Sequence, residues 1–136
     1  MKQYLLDTNI IIFYIKGKFN LDIKIDKIGL KNCFISEITV AELLHGAIKS
    51  QNSTKHLKIV EDIQKNITVI PISNALKIYA EEKSRLEKKG TPIDSFDILI
   101  GATAINNKFI MVTNNTKHFD RLNNLKLEDW TKATTN

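Results

Sequence analysis

Cysteine is almost absent from this sequence, which contains only Cys33. A single cysteine cannot form a disulfide within the chain, so the class of small, disulfide-stapled secreted proteins is excluded. The segment "NCFISEI" is typical of a buried strand, in which a cysteine serves as a small core residue. We therefore expect a protein of a reducing, cytoplasmic compartment.

Long apolar runs are also missing. No stretch approaches the ~18 apolar residues of a membrane-spanning helix. The first apolar segment is interrupted by Asp7, and no small-residue cleavage site of a signal peptide follows it. Repeats, low-complexity tracts and linkers are absent as well, so we expect one domain over residues 1–136 and no membrane segment.

Acidic residues are outnumbered by basic ones, with 15 Asp and Glu against 20 Lys and Arg and a net charge of +5. A basic balance favours a polyanionic partner such as nucleic acid. The indication becomes stronger if the acids are gathered in one pocket, because the remaining surface is then more basic than the total implies.

Strand-like segments alternate with helical patterns along the chain. The predicted strands cover residues 3–6, 33–36, 68–70 and 109–113, with a weaker one at 125–127. Helical spacing of apolar residues marks "SEITVAELLHGAIKS", "STKHLKIVEDIQKN", "SNALKIYAEEKSRLEKKG" and "TPIDSFDILIGATAINN". This alternation predicts an α/β fold with a largely parallel sheet.

Several residues have the chemistry of helix ends. Ser36 is a predicted N-cap, and Gly90 is predicted to follow the last turn of its helix as the C′ glycine. The next helix is predicted to begin with Thr91 as N-cap and Pro92 in the first turn, with Asp94 completing a capping box.

Asp7 is a carboxylate set between two apolar segments, "YLL" and "IIIFYI". It ends the first predicted strand, and ligands of parallel sheets bind at the carboxyl ends of the strands. A buried charge needs a partner. Two interpretations stay open at this point: Asp7 caps the following helix, or it holds a cation.

Two further acids lie on predicted helices. Glu42 occurs in "TVAELLHG", where it is either a solvated helical residue or part of a site, since the small neighbours Ala41 and Gly46 allow close approach of another element. Asp97 begins "DILIGATAI", a segment apolar nearly all round and therefore predicted to be buried. A carboxylate there needs a metal, an arginine or several donors, unless it lies at the exposed helix start.

The strand at 109–113 delivers Asn114 and Asn115 to the same edge of the sheet. Such amides suit turns and caps, and Asn115 also offers a neutral oxygen to a metal or its waters. Asp7, Glu42, Asp97 and Asn115 together form an oxygen-rich candidate site. Oxygen ligands without Cys or His select Mg²⁺ or Mn²⁺ over zinc, and the three histidines show no zinc-ligand spacing.

The segments "LLDTN", "VAELLHG", "DILIGATA" and "VTNNTKHFDRLNNLKLEDW" occur in this order. In this ordered set the chain resembles the PIN-domain ribonucleases of the VapC toxin type over essentially its whole length. The resemblance implies a three-layer α/β/α sandwich with a mainly parallel sheet. It also implies Mg²⁺-dependent RNA cleavage and neutralisation by a VapB-type antitoxin.

Position by position, Asp7, Glu42 and Asp97 match the three acids of the family motif. Asn115 falls where a fourth acid or an asparagine stands, and Thr8 matches a supporting hydroxyl residue. His118 is a departure, since many relatives place an acid just before the last motif's Phe. This departure leaves open whether one or two metal ions bind.

The final motif most resembles the group whose members cut initiator tRNA in the anticodon stem-loop. The resemblance therefore implies a tRNA substrate and inhibition of translation. It also implies a homodimer within a toxin–antitoxin hetero-oligomer that contacts operator DNA only through the antitoxin.

Three other classes were weighed. A haloacid-dehalogenase-like phosphatase requires a second Asp two residues after the first, where this chain has Asn9. A response-regulator receiver requires a phosphoacceptor Asp ending a middle strand, where this chain reads "VIPIS". A non-catalytic nucleic-acid-binding module on the same fold should have lost an acid, and all three are present.

Overall fold

Within residues 1–132, which the computed structural model describes, five short strands form one sheet. They are β1 (Tyr4–Leu6), β2 (Cys33–Ser36), β3 (Thr68–Ile70), β4 (Ile110–Val112) and β5 (Lys126–Glu128). All pairings are parallel, in the order β3-β2-β1-β4-β5. The five predicted strands and the parallel sheet are confirmed, with ends that differ by at most one residue.

Helices connect the strands. In the same described part of the chain they are α1 (Thr8–Ile15), α2 (Leu21–Ile28), α3 (Glu37–Lys49), α4 (Ser53–Asn66), α5 (Leu76–Lys88), α6 (Ser95–Asn107) and α7 (Thr116–Phe119). Short 3-10 turns at Leu30–Asn32 and Ser73–Ala75 precede β2 and α5. None of these helices has the length and apolar character needed to cross a membrane.

Side chains of the strands alternate between two apolar layers. Leu6 and Cys33 pack in a core that also contains residues of α1, α2, α3 and α4. Leu5 packs on the opposite face with residues of α5, α6 and α7. Because both faces of the sheet are covered, its strands are apolar throughout. The predicted three-layer α/β/α sandwich is confirmed, and so is the burial of Cys33.

The start of α6 differs from the sequence prediction. Asp94, not Thr91, is the N-cap, and its carboxylate accepts a hydrogen bond of 3.1 Å from the N–H of Phe96. Thr91 instead belongs to the end of the preceding helix, because its N–H donates to the carbonyl of Leu86. Gly90 adopts a φ of +74°. These contacts close α5 with a Schellman motif, which confirms Gly90 as the C′ glycine.

The small residues of α6 permit the close packing that the sequence predicts. A Cβ atom added at Gly101 would lie only 2.3 Å from Cδ1 of Leu122. Ala102 and Ala104 are buried in the same helix. A larger residue at Gly101 would therefore require the Leu122 side chain to move.

The strand order places a topological switch between β1 and β4. From β1 the chain continues to β2 and β3 on one side, and then returns to β4 and β5 on the other. Parallel sheets bind ligands at the carboxyl ends of the strands at such a point. The residues that follow these strand ends are Asp7 and Thr113, and the N–H of Asp7 donates to the carbonyl of Val112.

Candidate active site

Asp7 lies at this switch point with only 6% of its surface exposed. Its Oδ1 accepts a hydrogen bond of 2.8 Å from the N–H of Thr8, so it caps α1. Its Oδ2 accepts a second bond of 2.8 Å from the hydroxyl of Thr113. The capping interpretation is therefore correct. It does not exclude a ligand, because each carboxylate oxygen can accept more than one interaction.

Thr113 connects Asn115 to the site through the backbone. Its buried hydroxyl oxygen accepts a hydrogen bond of 3.0 Å from the N–H of Asn115. The side chain of Asn115 is exposed and makes no cap bond to α7. The Thr113 hydroxyl thus links the backbone of Asn115 to Asp7, while the predicted use of the Asn115 amide oxygen stays a prediction.

Glu42 is half-buried on α3 and is held by Thr8. The hydroxyl of Thr8 donates to Oε1 of Glu42 over 2.6 Å. The hydroxyl oxygen of Thr8 also lies 3.0 Å from the hydroxyl oxygen of Thr39, which is one helical turn before Glu42. A threonine hydroxyl has one proton, so Thr39 donates to Thr8 while Thr8 donates to Glu42. The supporting role predicted for the Thr8 hydroxyl agrees with this position between two acids.

Asp97 lies in the first turn of α6 and is half-buried. Its Oδ2 is 3.0 Å from Nε2 of His118, which belongs to α7. The residue that departs from the family pattern therefore contacts an acid of the candidate site directly.

The charges of these carboxylates act on one another. Burial raises the pKa of Asp7 to about 6, and the charges of Asp97 and Glu42 add to this increase. Hydrogen bonds from Thr113 and Thr8 oppose it. Burial also raises the pKa of Asp97, while His118 lowers it. The charges of Asp97 and Glu42 therefore act on Asp7, while the clustering of the three acids around one ion stays a prediction.

The acids are not arranged around a preformed ion position. Over residues 1–132, no three His, Cys, Asp or Glu side chains already surround one ion position. Glu42 is engaged by Thr8, and Asp97 by His118. The donor set nevertheless fits a hard cation, because it is made of carboxylate oxygens and because no Lys or Arg in this part of the chain pairs with Asp7. Metal ligation by Asp7, Glu42 and Asp97 stays a prediction.

Sequence reasoning did not identify Thr39 or Thr113 as partners of the acids. A signal existed for each. Thr39 precedes Glu42 by three residues and shares its helix face. Thr113 is the first residue after β4, as Asp7 is the first after β1, and these two strands pair in register at Leu6 and Val112.

Comparison with known proteins identifies the family. The PIN domain model matches residues 4–125. The chain is 36% identical to the tRNA(fMet)-specific endonuclease VapC of Shigella flexneri, with 96% of this chain and 99% of that protein covered. It is 33% identical to ribonuclease VapC1 of Haemophilus influenzae (strain R2866), with 95% and 98% covered.

Solved structures agree with these relatives. DNA-bound VapBC from Salmonella typhimurium aligns with a TM-score of 0.89 at 31% identity, covering 96% of this chain and 99% of that one. VapBC2 from Rickettsia felis, bound to a DNA fragment from its promoter, aligns with a TM-score of 0.85 at 33% identity, covering 93% and 98%. The predicted resemblance is confirmed, and the two phosphotransfer alternatives are not supported. The chain belongs to the PIN domain family, as a VapC-type endoribonuclease of the toxin–antitoxin class.

Proposed function

We propose that this protein is a Mg²⁺-dependent toxin that cleaves tRNA and thereby inhibits translation, with Mn²⁺ able to substitute. The observation that carries this proposal is the Asp7 carboxylate, which is buried at the sheet's switch point close enough to Asp97 and Glu42 for their charges to raise its pKa. Such an arrangement is costly unless a cation binds there.

Asp7, Glu42 and Asp97 would hold the ion. When bound, Mg²⁺ would neutralise charge that builds on the scissile phosphate and lower the pKa of water. The neighbouring hydroxyls fix the acids in advance, because Thr113 holds one oxygen of Asp7 and Thr8 holds one oxygen of Glu42. Preorganised ligands lose less freedom on binding.

The side chains of the site would have different roles in the cleavage reaction. Glu42, whose Oε1 accepts a hydrogen bond from Thr8, would orient or deprotonate the attacking water through the ion. Asp7 and Asp97 would position the scissile phosphate, and Asn115 would hold that phosphate or a water. Attack by water leaves a 3′-hydroxyl and a 5′-phosphate.

The substrate is proposed from charge and from similarity. The net charge of +5 favours a polyanion. The Shigella flexneri relative is named a tRNA(fMet)-specific endonuclease. We therefore propose tRNA as the substrate class and the anticodon stem-loop of initiator tRNA as the first target to test.

The proposed partner is a VapB-type antitoxin, as in the VapBC complexes that this fold matches. Its C-terminal tail would lie across the acidic site and the apolar helices nearby, with an Arg or Lys paired to the carboxylates. Exposed apolar side chains such as Ile48 and Leu76 support a homodimer within the cytoplasmic complex. Operator DNA would be bound only through the antitoxin, and tight operator binding by this chain alone would contradict that division.

The test is incubation of the purified protein with total RNA in Mg²⁺ and in EDTA, followed by mapping of the cut ends. We expect cleavage in Mg²⁺ at defined tRNA positions and none in EDTA. A non-catalytic module would instead bind RNA in both conditions, with salt-sensitive affinity and no cleavage. That result would reject the nuclease.

A further inference from the structure

An open groove of about 560 Å³ lies along α3. Glu42, His45, Gly46 and Lys49 of this helix line it, and Phe96 of α6 also contributes to its lining. This volume falls within the range of about 300–1,000 Å³ that is usual for ligand sites. The groove therefore has room for a nucleotide unit beside the candidate catalytic carboxylates.

Phe96 is the unusual residue of this groove. It is 47% exposed although it is a large apolar side chain adjacent in sequence to Asp97. Its backbone is fixed, because its N–H donates to Oδ2 of Asp94 in the cap of α6. An exposed aromatic ring next to Asp97 in the sequence offers a flat surface on which a base can stack.

The α3 side of the groove supplies groups of a different kind. His45 and Lys49 follow Glu42 by three and seven residues, so the three share one helix face. Gly46 leaves the floor open, since no atom lies within 4 Å of where its Cβ would be. Both His45 and Lys49 are exposed. Lys49 lies about two helical turns after Glu42, so its ammonium group could pair with a phosphate next to the one that is cut.

We propose that this groove is a subsite for single-stranded RNA, in which a nucleobase beside the scissile phosphate stacks on Phe96 and an adjacent phosphate pairs with Lys49. The inference rests on the proposed nuclease function and adds how the substrate is held. Stacking on Phe96 requires a base that is not paired in a helix. The enzyme thus selects loops and other unpaired segments, and it tolerates different bases at this position because every base has a π face.

The combination of groups favours RNA over a peptide in this groove. A peptide of the antitoxin could cover Phe96, but it would bring no phosphate for Lys49. An RNA strand supplies a base for the ring, a phosphate for the lysine and the scissile phosphate for the acidic end. All three surfaces line the same groove.

The test uses a short single-stranded RNA with 2-aminopurine next to the cleavage site. Binding is measured in EDTA and steady-state cleavage in Mg²⁺. We expect Phe96→Leu to weaken binding and raise KM by about tenfold with little change in kcat, and to abolish the quenching of 2-aminopurine. Phe96→Trp should preserve both. The control Ile23→Ala removes an exposed apolar side chain on α2, outside the groove, and should change neither.

Lys49→Gln gives an independent measure. Loss of one phosphate contact should reduce the slope of log affinity against log salt by about 0.7 for a single strand. Lys31→Gln, at an exposed lysine that precedes β2 on the opposite edge of the sheet, is the matched control and should leave that slope unchanged.

The outcomes separate the subsite from the function. If the wild type cleaves RNA while Phe96→Leu and Lys49→Gln keep wild-type KM, affinity and salt slope, the subsite is wrong and the nuclease stands. If Phe96→Leu weakens only the binding of the cognate antitoxin, the groove holds a protein and the proposal is overturned. A wild type that neither binds nor cleaves RNA rejects both.

Discussion

The Nε2 atom of His118 lies 3.0 Å from Oδ2 of Asp97, and this contact joins α7 to α6 at the edge of the site. Both side chains are largely shielded, with 24% and 29% exposed. Burial raises the pKa of Asp97, and His118 is the largest influence that lowers it. The imidazole thus helps to keep Asp97 ionised, and it fixes one carboxylate oxygen.

Replacing His118 with leucine should loosen this carboxylate. Loss of a group that orients a metal-binding residue typically costs 10–100-fold in metal affinity or activity. We expect His118→Leu to weaken Mn²⁺ binding by at least about tenfold, as measured by isothermal titration calorimetry without RNA. His118→Gln, which keeps a donor near Nε2, should recover most of it. His56→Leu is the control. A His118→Leu protein with unchanged or tighter Mn²⁺ binding would show that His118 does not position Asp97.

The pKa of Asp7 predicts a pH dependence of stability without metal. Because its pKa is raised to about 6 in the folded state, the folded state binds the proton more tightly than the unfolded chain does. The contribution of Asp7 to the free energy of unfolding is therefore most favourable at low pH, and it falls as the pH rises from about 4 to about 6. The stability lost in this way is at most about 3 kcal/mol, and it does not change further above about pH 6.

Asp7→Asn removes this titration. In EDTA we expect the variant to be at least as stable as the wild type at pH 7.5, with its advantage shrinking toward pH 4.5. Urea unfolding at several pH values measures the difference. A difference that stays constant across this range would mean that Asp7 titrates at its ordinary pKa.

Mg²⁺ should raise the melting temperature of the wild type, because the folded cluster binds the ion and the unfolded chain does not. Asp97→Asn should remove most of that increase. It should also leave the metal-free protein as stable or more stable, because burial and the nearby Asp94 charge disfavour the ionised carboxylate. Differential scanning calorimetry with and without Mg²⁺ tests both statements. A variant that is unfolded without metal would assign Asp97 a structural role.

Glu82 should be important for stability rather than metal binding. It is 8% exposed and accepts bonds from Arg85 at 2.8 and 3.0 Å and from the N–H of Asn123 at 2.6 Å. It therefore ties the loop after α7 to α5. Glu82→Ala leaves these donors unpaired and should cost about 2–3 kcal/mol in urea unfolding.

The exposed neighbour Glu81 provides the matched control, and Glu81→Ala should change stability little. Arg85 lowers the pKa of Glu82, so the stability that Glu82 contributes is present near neutral pH and is lost as the pH falls below about 4.5. Equal stability of the two alanine variants at pH 7 would contradict this role.

The strand positions and the place of Asp7 at the end of a strand could be predicted because they depend on local patterns. Asp7 follows a short apolar strand, and parallel strands bring their carboxyl ends to one edge. The bond between Asp7 and Thr113 joins residues 106 positions apart, and the contact of His118 with Asp97 depends on how α7 packs. Contacts between residues so far apart along the chain produce no periodic pattern in the sequence. The predicted start of α6 is wrong because Thr91 can either cap α6 or close the preceding helix. In the structure its N–H donates to the carbonyl of Leu86 at the end of α5.

The helices α2 and α7 were not identified individually in the sequence. α7 is only four residues long, too short for a helical period to be recognised. The predicted dimer, the single domain over residues 1–136 and the metal ligands stay predictions, since they concern partners, a chain extent or an ion. Residues 133–136 lie outside the described part of the chain.

The most direct test of the central claim is end-group analysis of RNA cut by the wild type and by Asp7→Ala. Activated water leaves 3′-hydroxyl and 5′-phosphate ends, whereas attack by the RNA's own 2′-hydroxyl leaves a 2′,3′-cyclic phosphate and needs an acid–base pair, typically histidine. We predict the first pair of ends, in Mg²⁺ only. Asp7→Ala should lose several orders of magnitude in turnover while retaining most RNA affinity. Cyclic-phosphate ends that persist in EDTA, or near wild-type cleavage by Asp7→Ala, would contradict the account.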